Sequence, residues 1–196
     1  MTKDQIAAAV KAKGYQWFEN GDYNFNLVAV RTSDNDAVTN KFDDFMTLSY
    51  KTGGNWMFHS WPITTDPGTY WVKDANGDGN SSGVARVKPG QYKGSHKMGK
   101  HKGQYDALVQ AKNITVYRDK NKDNKYDETT TTTGIYGINI HHAGTNSENV
   151  DKWSAGCQVF KSTADFDAFL NIIKAGFKAS GSSSVSLTLI ESADLA

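Results

Sequence analysis

Only one of the chain's 196 residues is a cysteine. A single thiol excludes an internal disulfide framework, so stability must come from packing, and Cys157 is either inert or chemically used. Charge of one sign is also missing: 22 Lys and Arg stand against 21 Asp and Glu, a net +1. That balance argues against charge-driven nucleic-acid binding, and a hydrophobic content of 38% argues against disorder. No apolar run approaches the roughly 18 residues that span a bilayer, and residues 1–14 show no apolar core of a signal peptide. The expectation is a protein made in the cytoplasm, with no membrane span and no nucleic-acid partner. Internal repeats and dividing linkers are absent as well. One domain over residues 1–196 is therefore expected, with residues 1–23 as an N-terminal helical segment.

Strand-forming residues are what the chain has in quantity. Thr2 and Gln5 fit a capping box ahead of an alanine-rich helix that runs to Lys13 and stops at Gly14. Beyond residue 24, Val, Thr, Tyr, Phe and Trp alternate with Gly, Asp and Asn clusters, the pattern of many short strands. Strands are expected over 26–32, 44–52, 55–61, 69–73, 83–88, 107–118, 134–142 and 185–191. The Thr run at 129–133 reads as a polar loop or an extended lead into a strand. Ser162 or Thr163 caps a second helix, in which Phe166, Phe169, Leu170 and Ile173 recur at i, i+3, i+4 and i+7 as one buried stripe. The fold class that follows is mostly β, a β-rich α+β protein.

The cysteine lies in WSAGCQVF, residues 153–160. A lone cysteine is often just a small buried hydrophobe. Here, however, GINIHHAG places His141 and His142 at the end of an apolar strand, 16 and 15 residues ahead of Cys157. A thiol becomes a useful nucleophile when a histidine can take its proton and N–H groups await the oxyanion formed on the attacked carbonyl. Gly156 leaves room for a substrate backbone, and the amides around Cys157 are candidates for that oxyanion hole.

An apolar strand ending in Ile140-His141, a spacer, and then Ser154-Ala155-Gly156-Cys157 resembles the signature of L,D-transpeptidase (YkuD-like) catalytic domains. The stretch ITTDPGTYWV (63–72) is similar to that family's turn into a core strand, so the resemblance covers residues 56–160. It implies an L,D-transpeptidase-like β-sandwich or barrel with an N-terminal helix and a helix after the cysteine. It also implies Cys157 as nucleophile, His141 as general base, His142 as the residue whose carbonyl orients that base, Gly156 with the Cys157 amide as the oxyanion-hole region, and Ser154 as the residue that opens the motif. The implied activity is cysteine-dependent acyl transfer or hydrolysis on peptidoglycan stem peptides through a thioester, with no cofactor required. Two positions depart from the family pattern. Its histidine before Gly-Cys is Ala155 here, and its Arg or Asn soon after the cysteine is absent from Gln158-Val159. Those departures leave donor specificity, and the choice between hydrolysis and transfer, open. A chain of this kind also resembles phage-encoded or delivered wall-active proteins, which implies action at the cell wall or periplasm after release, with a virion or delivery partner. The alternative is a non-catalytic structural or wall-binding protein that keeps the fold.

Other residues invite a role. His101 and Tyr105 fall within residues 88–110, rich in Gly, Lys, His and Tyr, which suit a mobile loop lining the substrate cleft. Lys97, Lys100 and Lys102 would then face stem-peptide carboxylates, unless the stretch is simply a solvated basic loop. Trp153 either floors the pocket or belongs to the core. Asp119, Asn121, Asp123 and Asp127 stand at positions 1, 3, 5 and 9 of an EF-hand-like loop and make a structural calcium a candidate; Asp74, Asn76 and Asp78 begin a second such loop. Position 12 is Thr130 in the first and Ala85 in the second, and Asp-Asn-Gly runs also form ordinary turns. His96, His101, His141, His142 and Cys157 supply enough ligands for a zinc peptidase, but HExxH and paired-cysteine spacings are absent. A Cys157 thiolate paired with a His141 imidazolium at neutral pH is a further expectation.

Overall fold

A computed structural model describes residues 1–33, 37–72, 82–125 and 127–195. The elements run α1 (Lys3–Ala12), β1 (Asn26–Arg31), β2 (Asp44–Thr52), β3 (Asn55–Thr64), α2 (Thr69–Val72), β4 (Ala85–Val87), β5 (Gly90–His101), β6 (Tyr105–Gln110), β7 (Ile114–Arg118), β8 (Thr131–Gly134), β9 (Ile140–His142), β10 (Gln158–Phe160), α3 (Thr163–Ser180) and β11 (Ser184–Glu191). A short 3-10 turn, Ser192–Leu195, follows. The fold is mostly β. Eight strands close a barrel in the order β1, β11, β5, β6, β9, β10, β3, β2, and β4, β7 and β8 form a separate three-stranded sheet.

β1 is buried along its whole length, as expected for an apolar run covered on both faces. Leu27 and Ala29 belong to the main core, whereas Val28 and Val30 pack with Ile6, Ala9 and Val10 of α1. Thr2 caps α1 and Gln5 reaches back to the Thr2 amide, completing the capping box. Ser162 caps α3 by accepting from the Asp165 amide, and Gly181 ends it in the left-handed conformation. The stripe of α3 then buries Phe166, Phe169, Leu170 and Ile173, each contributing roughly 1.5–3 kcal/mol of transfer free energy. Phe160 of β10 meets Phe166 edge-on and packs at a tilt on Phe169, and Trp61 of β3 meets Phe169 edge-on. The helix therefore sits beneath the strand that follows the cysteine.

Several sequence expectations are corrected. Residues 69–72 form one helical turn instead of a strand, because Asp66-Pro67-Gly68 docks onto a neighbouring loop: the Gly68 amide bonds Ser154 O, and a Cβ at Gly68 would lie 2.1 Å from Asp151 O. Residues 88–110 are no mobile loop but the long hairpin β5–β6, pinned on its other side by β11. The stretch 107–118 divides into β6 and β7, with the amides of Ala111 and Lys112 both turned to Ser95 O. Residues 134–142 divide as well. Gly137 has φ +71°, and the Gln110 side chain accepts from the amides of Tyr136 and Ile138 while donating to Gly134 O, so a side chain replaces the neighbouring strand there. The Thr run ends in β8, paired with β7.

Candidate active site

β9 and β10 are parallel neighbours, with Ile140 beside Gln158 and His141 beside Val159. Cys157 precedes β10 and therefore stands level with Asn139, whose amide donates to the Cys157 sulfur at 3.4 Å. The thiol donates in turn to Gly137 O, also at 3.4 Å. Along Gly137-Ile138-Asn139-Ile140-His141, the apolar side chains at 138 and 140 enter the core. The alternate positions 137, 139 and 141 line a cavity of about 280 Å³ together with Cys157, Ala155, His101, Lys102, Trp71, Lys152 and Trp153. This is the period-two alternation of a strand.

His141 is 1% exposed. Its Nδ1 lies 2.9 Å from the carbonyl of His142 and 3.2 Å from the Tyr105 hydroxyl, which itself donates to that same carbonyl at 3.3 Å. A carbonyl only accepts, so Nδ1 carries the ring proton and Nε2 holds a lone pair. That Nε2 is buried and has no hydrogen-bond partner among the described residues. The ring stacks on His101 at a centroid distance of 3.8 Å, and Asn139 donates its side-chain N–H to His101 Nδ1 at 3.2 Å. Burial, then the proximity of His101, pushes His141 down to about 3. Burial, then Lys102, pushes His101 down to about 4. Burial also raises the Cys157 thiol, against a smaller opposing effect of the Asn139 amide. The expected thiolate–imidazolium pair is thereby corrected: at rest both groups are neutral, because enclosure penalises each charge and no hydrogen bond joins Nε2 to the sulfur.

The remaining predicted residues divide between lining and support. Trp153 is 43% exposed and lines the cavity's mouth instead of the core. Lys152 and Trp153 also line an adjoining cavity of about 590 Å³ with Thr69, Tyr70 and Asp151. Lys102 faces the cysteine cavity, but Lys100 pairs with Asp106. Ser154 and Gly156 are absent from the cavity wall. The buried Ser154 hydroxyl accepts from the Gly156 amide at 3.1 Å and donates to Cys157 O at 2.9 Å, fixing the turn that presents the thiol. Gly156 has φ +133° and packs on β4, where a Cβ would lie 2.4 Å from Ala85 O. Its missing side chain therefore serves this close approach, not clearance for substrate. Its amide is also engaged, which leaves the Cys157 amide, unpaired among the described residues, as the one member of the expected oxyanion pair still available. His142 turns its ring to Ala143 O, Thr163 and Phe166 and packs it on Tyr105 at a centroid distance of 4.3 Å, while its carbonyl holds His141 Nδ1.

Sequence reasoning missed Asn139, which bonds both the sulfur and His101; the alternation in GINIH was the available signal. Both ring nitrogens of His96 are bonded, to Ser95 and to Ile138 O, far from metal ligation. Among the described residues, the one cluster with metal-ligand spacing is Asp119, Asp123 and Glu128, and no histidine–cysteine group qualifies. The zinc reading therefore gains no cluster among the described residues, and Glu128 joins Asp119 and Asp123 of the expected calcium loop in the acidic group. Asn121 Oδ1 instead accepts from the Asp123 amide. Asp74, Asn76 and Asp78 lie outside the described residues. Comparisons with protein-family models, curated proteins and solved structures found no match.

Proposed function

We propose that the protein is a cysteine acyltransferase or peptidase of the L,D-transpeptidase type, acting on peptidoglycan stem peptides through a Cys157 thioester. The observation that carries this reading is the free lone pair of His141 Nε2, held in the base tautomer by the His142 carbonyl, in the wall of the cavity that Cys157 lines. A buried nitrogen without a partner costs stability unless something enters to meet it. The β-rich barrel, the cysteine at the head of β10 and the helix after it are compatible with the L,D-transpeptidase-like fold.

The chemistry follows from the neutral pair. This reading requires the thiol proton to leave Gly137 O for Nε2 on the wall of the same cavity. The imidazole takes that proton as sulfur bonds the substrate's amide carbon, and the Cys157 amide meets the developing oxyanion. The carbon–nitrogen bond then breaks, the proton passes from Nε2 to the leaving amine, and a thioester remains. Water or an acceptor amine, deprotonated by Nε2, attacks the thioester and restores the thiol. Keeping both groups neutral at rest spares the site a buried ion pair until substrate displaces water. Lys102 and Lys152, on the same cavity, are the cations available for a donor carboxylate in place of the family's Arg. The protein's place of action on this reading is the cell wall, reached by release or delivery.

The test is incubation with purified sacculi, wild type beside Cys157→Ser, with muropeptides read by mass. Released fragments indicate hydrolysis, new cross-links indicate transfer, and unchanged muropeptides with wild type overturn the proposal. One observation favours a second reading, a wall-binding protein without turnover: no hydrogen bond links Nε2 to the sulfur. Sacculus binding that survives Cys157→Ala, with no muropeptide change by wild type, would select it.

A further inference from the structure

Asp119 follows β7 and is 7% exposed. Its Oδ2 accepts from the Asn124 amide at 3.3 Å, but its Oδ1 is buried and has no partner among the described residues. Glu128 Oε1 and Asn124 Oδ1 share that condition. Ligand oxygens of Asp119, Asp123 and Glu128 lie within 4.8 Å of one another, and no salt bridge reaches these carboxylates among the described residues. Arg86 and Glu128 line a common cavity of about 270 Å³, yet the Arg86 guanidinium bonds Asp66 at 2.8 Å. Ionised carboxylate oxygens accept and cannot donate, so three of them converging around a buried, unanswered oxygen repel one another unless a cation, or a proton retained on one of them, joins them.

We propose that Asp119, Asp123 and Glu128 bind one calcium ion. The donors are all hard oxygens, which excludes a preference for zinc or copper, and three carboxylates from one loop leave room for main-chain carbonyls and water to complete six to eight ligands. The ion would clamp the loop after β7 to β4. Asp119 N bonds Val84 O, and Gly83 rests on the Asp119 carbonyl so closely that a Cβ would meet it at 1.7 Å. Ala85, two residues on, carries the carbonyl against which Gly156 packs. The clamp thus braces the strand behind the cysteine turn, and it does not depend on the acyl chemistry.

The experiment titrates calcium chloride into chelator-stripped full-length protein by calorimetry, with thermal unfolding followed in calcium, magnesium and chelator. The expected result is one calcium per chain and a higher melting temperature in calcium than in magnesium. Asp119→Asn and Glu128→Gln, isosteric changes that keep the loop's shape, should each weaken binding at least about tenfold. Asp106→Asn, which removes an acid paired elsewhere with Lys100 and Lys174, should leave binding unchanged. No heat and no change in melting temperature on adding calcium to the wild type would overturn the proposal. So would equal responses to the two metals, or unaltered affinity in both ligand variants.

Discussion

Arg31 and His141 are both almost wholly buried, yet their surroundings are built on opposite terms. Arg31 has each of its three nitrogens bonded, to the Thr65 hydroxyl, Val87 O and Thr65 O, and it pairs with Asp66. Arg86 shares Asp66, and the buried Asp44 accepts from Thr32 N, Thr65 N and the Thr65 hydroxyl. This network ties β1, β2, the end of β3 and β4 into one wall. His141 instead has no ion-pair partner among the described residues, with one nitrogen bonded and one left open. The two clusters meet through residues 65–68 and β4, which hold Arg31 on one side and seat Ser154 and Gly156 on the other. Buried charge with every partner supplied is what a scaffold does; an enclosed, uncharged imidazole that lines one cavity with a thiol, with a polar atom unanswered, is what the proposed reaction would need.

The first way to break this contrast is to remove the sulfur. Cys157→Ser should lower turnover on sacculi about 10⁴-fold or more, about 5.4 kcal/mol of transition-state stabilisation, while the urea midpoint hardly moves. A large loss of stability with it would make Cys157 a packing residue. Conversely, Arg31→Met should cost about 3–5 kcal/mol in urea unfolding, because Asp66 and Asp44 lose a buried cation. A neutral result would mean that the network is no scaffold.

The two clusters also differ in how far the sequence announced them. The capping box at Thr2, the Ser162 cap and the four-residue stripe of α3 are local patterns, and each describes its own element. The spacing from His141 to Cys157 was legible for the same reason. What makes that spacing matter, the parallel pairing of β9 with β10, is a long-range register that no window of residues contains. Gly156 could be read as important, but its reason, the carbonyl of Ala85, lies some seventy residues away in sequence. The burial of Arg31, within the expected strand 26–32, has no local signal, because it depends on Thr65, Asp66 and Val87 arriving from elsewhere. Gln110, at the end of an apolar run, gave no sign that its amide would stand in for a missing strand beside residues 134–138.

Acidity also separates two buried groups, Asp44 of the Arg31 network and His96 of β5, with opposite signs. Burial, reinforced by Asp66, raises Asp44 to about 6 from 3.8. Its folded form holds a proton that the unfolded form releases, so its contribution is full below pH 3.8 and is lost as pH rises through 6. Burial lowers His96 to about 4 from 6.5. Its contribution is present above pH 6.5 and is lost as pH falls through 4. Measured unfolding free energies between pH 4 and 6 should therefore change slope by up to about 1.4 kcal/mol per pH unit in Asp44→Asn and in His96→Gln, in opposite directions. Slopes of the same sign would erase the distinction.

The smallest expected effect falls on Tyr105. Its hydroxyl lies beside both Nδ1 of His141 and the carbonyl of His142, but that carbonyl alone suffices to hold the base tautomer. Tyr105→Phe removes one hydrogen bond of about 1 kcal/mol and should lower kcat about fivefold with KM nearly constant. The pH profile of kcat is the sharper readout, since burial and the nearby Cys157 push the Tyr105 phenol up to about 12, far above the working range. An unshifted profile with a small loss means that the hydroxyl only steadies the imidazole. A loss approaching that of Cys157→Ser would make Tyr105 a proton carrier, and the site would then rest on a triad in which the tyrosine, not the carbonyl of His142, governs the base.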